Sequence, residues 1–76
     1  MMITIKFFAS LRQLVGKKEM QLTLTQPISV REVWTQVCAQ PLPDHALMAI
    51  NLEYVNAETL VQAGDEIAFF PPVTGG

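Results

Sequence analysis

Apolar and polar positions alternate at the start of the chain, with Ile3, Ile5 and Phe7 against Thr4, Lys6 and Phe8. A period of two predicts a strand with one buried face. Ser10 and Gln13 then have capping-box spacing, and Gly16 is placed to stop a short helix whose apolar face is Leu11, Leu14 and Val15. Met20, Leu22 and Leu24 alternate with Gln21, Thr23 and Thr25, a second strand ended by Pro27. The clearest start signal follows. Ser29 and Glu32 form a capping box, and Ile28 with Val33 has the spacing of a hydrophobic staple. Val30, Val33, Trp34, Val37 and Cys38 recur at i, i+3, i+4, i+7 and i+8, one face of the main helix. Pro41 and Pro43 prevent its continuation. Leu47 to Ile50 reads as a third strand, Asn51-Leu52 as a turn, Glu53 to Asn56 as a short fourth strand, and Glu66 to Phe70 as the last. Ala63-Gly64-Asp65 is a turn signal, and the stretch Gln40 to His45 is the one clear loop.

The order is β, short α, β, α, β, short β, β. One long helix must cover one face of a mixed sheet to bury these stripes, an α+β fold. The first and last strands can then pair in parallel at the centre, which is the β-grasp, or ubiquitin-like, arrangement. The expected organisation is a β-grasp domain over residues 1–70 and an extended tail over residues 71–76.

Composition narrows the function. The 76 residues make one small domain, half hydrophobic and 16% charged, hence a folding sequence. The formal net charge is −2, from five Lys/Arg and seven Asp/Glu, with no basic run. Nucleic acid is an unsuitable partner for such a surface. No apolar stretch approaches the ~20 residues that span a bilayer, so no membrane is expected. Met1 leads straight into a strand pattern, with no secretory leader in view. The single cysteine, Cys38, rules out an internal disulfide and suits a reducing compartment, so the expected location is cytoplasmic.

Catalytic groups are scarce. His45, the one histidine, stands in a loop beside Asp44, and the pair lacks a nucleophile. Cys38 falls on the apolar helix stripe and reads as a buried, inert thiol. One Cys and one His cannot make a zinc site, so no metal is expected. The four glycines form no phosphate loop. Asp65-Glu66 reads most simply as a solvated turn, and Trp34 as core. Phe8 and Phe70 are odd, because alternation puts them opposite Ile3, Ile5, Phe7, Ile67 and Phe69. On neighbouring strands both would stand on the face away from the helix, as an interface patch or under a covering loop.

The remaining candidate is the chain end, Pro71-Pro72-Val73-Thr74-Gly75-Gly76. Glycine has no Cβ, so another protein can close around the backbone there. The prolines favour an extended approach, and six residues reach ~20 Å at ~3.3 Å each. A frayed terminus remains the plain alternative. A carboxylate is a poor electrophile, so chemistry at Gly76 needs activation, and adenylation by ATP is the usual route. Nothing in the chain supplies that machinery.

The chain resembles the small, sulfur-carrier subunit of molybdopterin synthase, a β-grasp family. The resemblance runs through Ile5-Lys6-Phe7-Phe8-Ala9, Leu11-Arg12-Gln13-Leu14-Val15-Gly16, Ala49-Ile50-Asn51 and Gly64-Asp65-Glu66-Ile67-Ala68. Its most specific block is Phe69-Phe70-Pro71-Pro72-Val73-Thr74-Gly75-Gly76 at the end. The resemblance implies that Gly76 is adenylated by an ubiquitin-activating-like adenylyltransferase that consumes ATP. A persulfide donor then converts it to a thiocarboxylate. Pro71, Pro72, Val73, Thr74 and Gly75 insert into the large catalytic subunit, where the sulfur attacks cyclic pyranopterin monophosphate. It also implies a heterotetramer of two small and two large subunits, catalytic lysines on the large subunit only, and no permanently bound cofactor. The small subunit is then not an enzyme on its own. Two readings compete: a sulfur carrier of another pathway, such as thiamine synthesis, and a ubiquitin-like protein modifier joined to lysine.

Overall fold

The alternation at the start of the chain becomes a strand buried on one side: Ile3, Ile5 and Phe7 are at most 1% exposed. The structure, a computed structural model, describes residues 1–72. Among these, the order is β1 (Met2–Phe7), α1 (Ala9–Val15), β2 (Glu19–Thr23), α2 (Val30–Val37), β3 (Leu47–Ile50), β4 (Glu53–Val55) and β5 (Glu66–Phe70). The five strands form one sheet in the order β2-β1-β5-β3-β4. β1 and β5 pair in parallel at the centre, as expected from the sequence, and the register sets Phe7 opposite Phe69. The other pairs are antiparallel.

The start of α2 is satisfied twice over. The Ser29 hydroxyl accepts from the Glu32 amide at 3.2 Å, and the Glu32 carboxylate accepts from the Ser29 amide at 3.3 Å. The next two amides, of Val30 and Arg31, donate to the carbonyls of Thr59 and Ala57. The four orphan donors of a helix start are a standing cost, and here the 57–61 segment takes part of them. That segment in turn donates from Val61 to the Ile28 carbonyl. So α2 is held at its first turn by both its own side chains and a neighbouring stretch of backbone.

α2 lays Val30, Val33 and Trp34 on the side chains of Ile3, Ile5, Phe7, Ile67 and Phe69. Trp34, Phe7 and Phe69 form the centre, with ring centroids 5.0–6.1 Å apart. Each fully buried ring contributes up to roughly 3 kcal/mol. The indole N–H, which costs energy if buried without a partner, donates to the Gln40 carbonyl at 2.8 Å.

Four expectations need correction. The Ser10–Gln13 capping box does not form; Phe8 is the N-cap of α1, with no side-chain cap. The reason is the sheet: Phe8 donates its amide to Phe69 while its carbonyl accepts the first helical bonds from Leu11 and Arg12. Strand end and helix start share one residue, leaving Ser10 inside the helix. Second, Leu14 is exposed, so the α1 contact is Leu11 with Val15 half-buried behind it. Third, Cys38 is the extended C-cap of α2, not a helical residue, and is only half-buried. Fourth, the 40–45 loop is not the sole one: residues 56–65 also run without strand structure apart from an isolated Ser29–Leu60 bridge.

Candidate functional site on the outer sheet face

Because side chains alternate along a strand, the residues between the core positions face away from α2. Register identifies them. Lys6 lies beside Ala68, Ala68 beside Ala49, and Ala49 beside Tyr54. Phe70 follows Ala68 by two residues, and Phe8 follows Lys6 by two, so all belong to one face. No described element covers it. The cleft on this face is lined by Phe8, Phe70, Tyr54, Leu52, Ala49 and Ala68, with Lys6 and Glu66 at its polar side. The two alanines, adjacent in register, keep the floor low between larger walls. Tyr54 and Phe70 meet with ring centroids 5.7 Å apart and planes tilted by 49°.

Phe8 and Phe70, singled out from the sequence, are thus placed together. Phe8 is 48% exposed and Phe70 is half-buried beside Tyr54. Tyr54 and Leu52 are the additions that sequence reading missed, at 74% and 90% exposure. A signal for Tyr54 was present: Val55 packs on the core, so its neighbour must face outward. Leu52 was read from the sequence as a turn residue, but its place at the cleft depends on the hairpin geometry.

The polar edge is held by ordinary surface interactions. Lys6 Nζ lies 3.5 Å from Glu66 and 3.9 Å from Glu19. Asp65 is more than a solvated turn residue. Its carboxylate accepts from the Gln62 amide at 2.7 Å and from the Asn51 side chain at 3.0 Å. Asn51 also accepts from the Glu66 amide at 3.0 Å, tying the β3–β4 hairpin to the turn before β5.

Pro71 and Pro72 leave β5 from the Phe70 end of this face, half-buried and exposed respectively. Val73, Thr74, Gly75 and Gly76 lie outside the described residues. Elsewhere His45 is exposed. Among the described residues no group of three or more His, Cys, Asp or Glu could hold a metal ion. No described helix is long and apolar enough to cross a membrane.

A central parallel β1–β5 pair, one helix across one face and an apolar opposite face define a β-grasp, ubiquitin-like protein. The solved structure of SAMP1 from Haloferax volcanii superposes with a TM-score of 0.79 at 25% identity, over all of both chains. A chain in the complex of subunits 1 and 2 of molybdopterin-converting factor from Helicobacter pylori has the same fold, with a TM-score of 0.69 at 21% identity, again over all of both chains. The ThiS family model matches residues 5–76, and the chain belongs to the ThiS family. The molybdopterin synthase sulfur carrier subunit of Haemophilus influenzae is 39% identical over 83 residues, covering 99% of this chain and all of the relative. That of Escherichia coli is 38% identical over 82 residues, with the same coverage.

Proposed function

We propose that this chain is the sulfur carrier of a molybdopterin synthase, acting through the carboxylate of Gly76. The observation that carries the reading is full-length similarity to relatives of that name, in a sequence that carries Gly75-Gly76 a short segment after β5. A carboxylate oxygen of Gly76 attacks the α-phosphate of ATP on an activating enzyme and releases pyrophosphate. The terminal sulfur of a persulfide displaces AMP, and a second thiol cleaves the resulting acyl disulfide to leave the thiocarboxylate. In the large subunit that sulfur attacks cyclic pyranopterin monophosphate, and hydrolysis returns the Gly76 carboxylate. One chain carries one sulfur, so a dithiolene takes two carriers in succession, in keeping with a two-plus-two heterotetramer. A need for ATP and a persulfide fits a cytoplasmic reaction. The domain brings no catalytic side chain of its own. It contributes the tail and a docking surface in which Phe8 and Phe70 take part.

The slimness of the tail follows from its task. Gly75 and Gly76 suit a narrow channel, and Pro71 and Pro72 reduce the entropy lost when the tail enters it. The test is to prepare the protein thiocarboxylate chemically, through an intein, and add it to purified large subunit and precursor. Dithiolene product is expected from the intact chain and none from the Gly76 deletion. An inactive thiocarboxylate, or an active deletion, overturns the reading. One alternative is a ubiquitin-like modifier joined to lysine, since a β-grasp fold with a Gly-Gly end serves that role equally well. Mass spectrometry of cell extracts separates the two: a carrier exchanges oxygen for sulfur at its own terminus, whereas a modifier appears on target lysines.

A further inference from the structure

The β3–β4 hairpin carries an exposed leucine in a backbone conformation that disfavours it. Ile50 pairs with Glu53, so Asn51 and Leu52 are the whole loop. Their φ angles are 51° and 71°. Positive φ at both central residues is the mark of a type I′ turn, whose preferred sequence is Asn-Gly. Asn51 meets that preference and is tied down by Asp65 and Glu66. Leu52 does not, since a Cβ crowds the left-handed region. Burial offers no compensation in the free protein, because Leu52 is 90% exposed. A strained, unburied apolar residue beside a cleft is a reason to look for a complex in which it is buried.

Its place identifies the partner. Leu52 lines the same cleft as Phe8, Tyr54 and Phe70. It does so at the opposite end, since Asn51 donates its amide to the Glu66 carbonyl while the tail departs after Phe70. Four residue steps separate those ends, about 13 Å of strand. A protein that acts on Gly76 must stand against the Phe70 end. From there one cleft, with Ala68, Ala49 and Tyr54 between its ends and Lys6 and Glu66 along its polar side, reaches Leu52.

We propose that Leu52 is a specificity-determining anchor, seated in an apolar depression of the large subunit that receives the tail, so that this partner covers the whole length of β5. The inference rests on the functional reading above and adds a second contact point remote from the tail. It predicts opposite effects on stability and binding. Leu52→Gly turns the loop into Asn-Gly, so the melting temperature of the isolated chain rises by about 3 °C. The same variant binds purified large subunit about tenfold more weakly by calorimetry. Leu52→Met, which keeps an apolar side chain of similar reach, stays within about threefold of the parent. Leu60→Ala, at an exposed leucine outside this cleft, leaves affinity unchanged.

Parent-like affinity of Leu52→Gly, with the parent itself binding, overturns this inference alone. An equal loss in Leu60→Ala overturns it as non-specific. A parent dimer in sedimentation that Leu52→Gly converts to monomer overturns it in favour of a second copy as occupant. If the parent binds no large subunit, the functional reading falls and this inference with it.

Discussion

Two pairs of adjacent phenylalanines have opposite fates. Phe7 and Phe69, neighbours on the central parallel strands, are at most 1% exposed and close with Trp34 into the centre of the core. Phe8 and Phe70, one residue further along, stand on the other face, with Tyr54 beside Phe70 and no described element above them. The chemistry of the side chains is the same. What differs is which face α2 covers. A one-layer sheet with a single long helix has one face left over, and alternation along β1 and β5 gives odd positions to the core and leaves even ones for the docking proposed above. The two tasks are therefore separable by mutation, which is testable in descending order of effect.

The largest effect belongs to the inner set. Phe69→Ala should cost about 3–5 kcal/mol. Marginal stability of about 0.1 kcal/mol per residue makes that about half of what a domain of this size has. Urea denaturation measures it, and a loss below about 1 kcal/mol would erase the distinction between the faces. Phe70→Ala should invert the pattern. The free domain loses under about 1 kcal/mol, since the ring is only partly covered, whereas affinity for the large subunit falls by about 2 kcal/mol or more. Calorimetry on the folded variant decides; unchanged affinity removes Phe70 from the docking surface.

The inner face was readable in the sequence because its signals are short-range and repeated. Ile3, Ile5 and Phe7 alternate, and Ser29 and Glu32 are three residues apart, so neither depends on a distant segment. The same rule misled at Ser10 and Gln13. There a long-range bond, from the Phe8 amide to Phe69, decided where α1 begins. Alternation also pointed Phe8 and Phe70 outward, though the cleft needed the pairing of Ala49 with Ala68 and Tyr54, which no local pattern contains. Leu52 was legible only as a turn residue, not as part of the cleft. Its exposure follows from a hairpin turn held by Asn51 and by Asp65, fourteen residues further on. The Gly75-Gly76 end, the candidate that the sequence puts forward, lies outside the described residues.

The helix that creates the difference between the faces can itself be loosened. Ser29→Ala removes the hydroxyl that accepts from the Glu32 amide and should cost about 1 kcal/mol. The effect stays that small because Val30 and Arg31 keep their bonds to Thr59 and Ala57. Thermal melting checks it, and affinity for the large subunit should not change, because α2 lies on the far side of the sheet from the cleft. A matching loss of affinity would mean that the two faces communicate.

The smallest effect is expected at Lys6, the charged residue at the edge of the outer face. Its ammonium stands between Glu66 at 3.5 Å and Glu19 at 3.9 Å, with the lysine side chain 36% exposed and the two glutamates 41% and 50%. Neither contact is short, and water screens both. Exposed pairs of this kind contribute about 0–1 kcal/mol. Lys6→Met removes both attractions and leaves two like charges on strands flanking β1, so a loss of about 0.5 kcal/mol is expected at low ionic strength. The methionine still covers neighbouring Ala68 with its aliphatic stem, so packing changes little. At 1 M salt, where the screening length is about 3 Å, the difference from the parent should nearly vanish. Denaturation at the two salt concentrations measures this directly. A salt-independent loss above about 2 kcal/mol would show the outer face to be structural in the free domain, and the division between a folding face and a docking face would no longer hold.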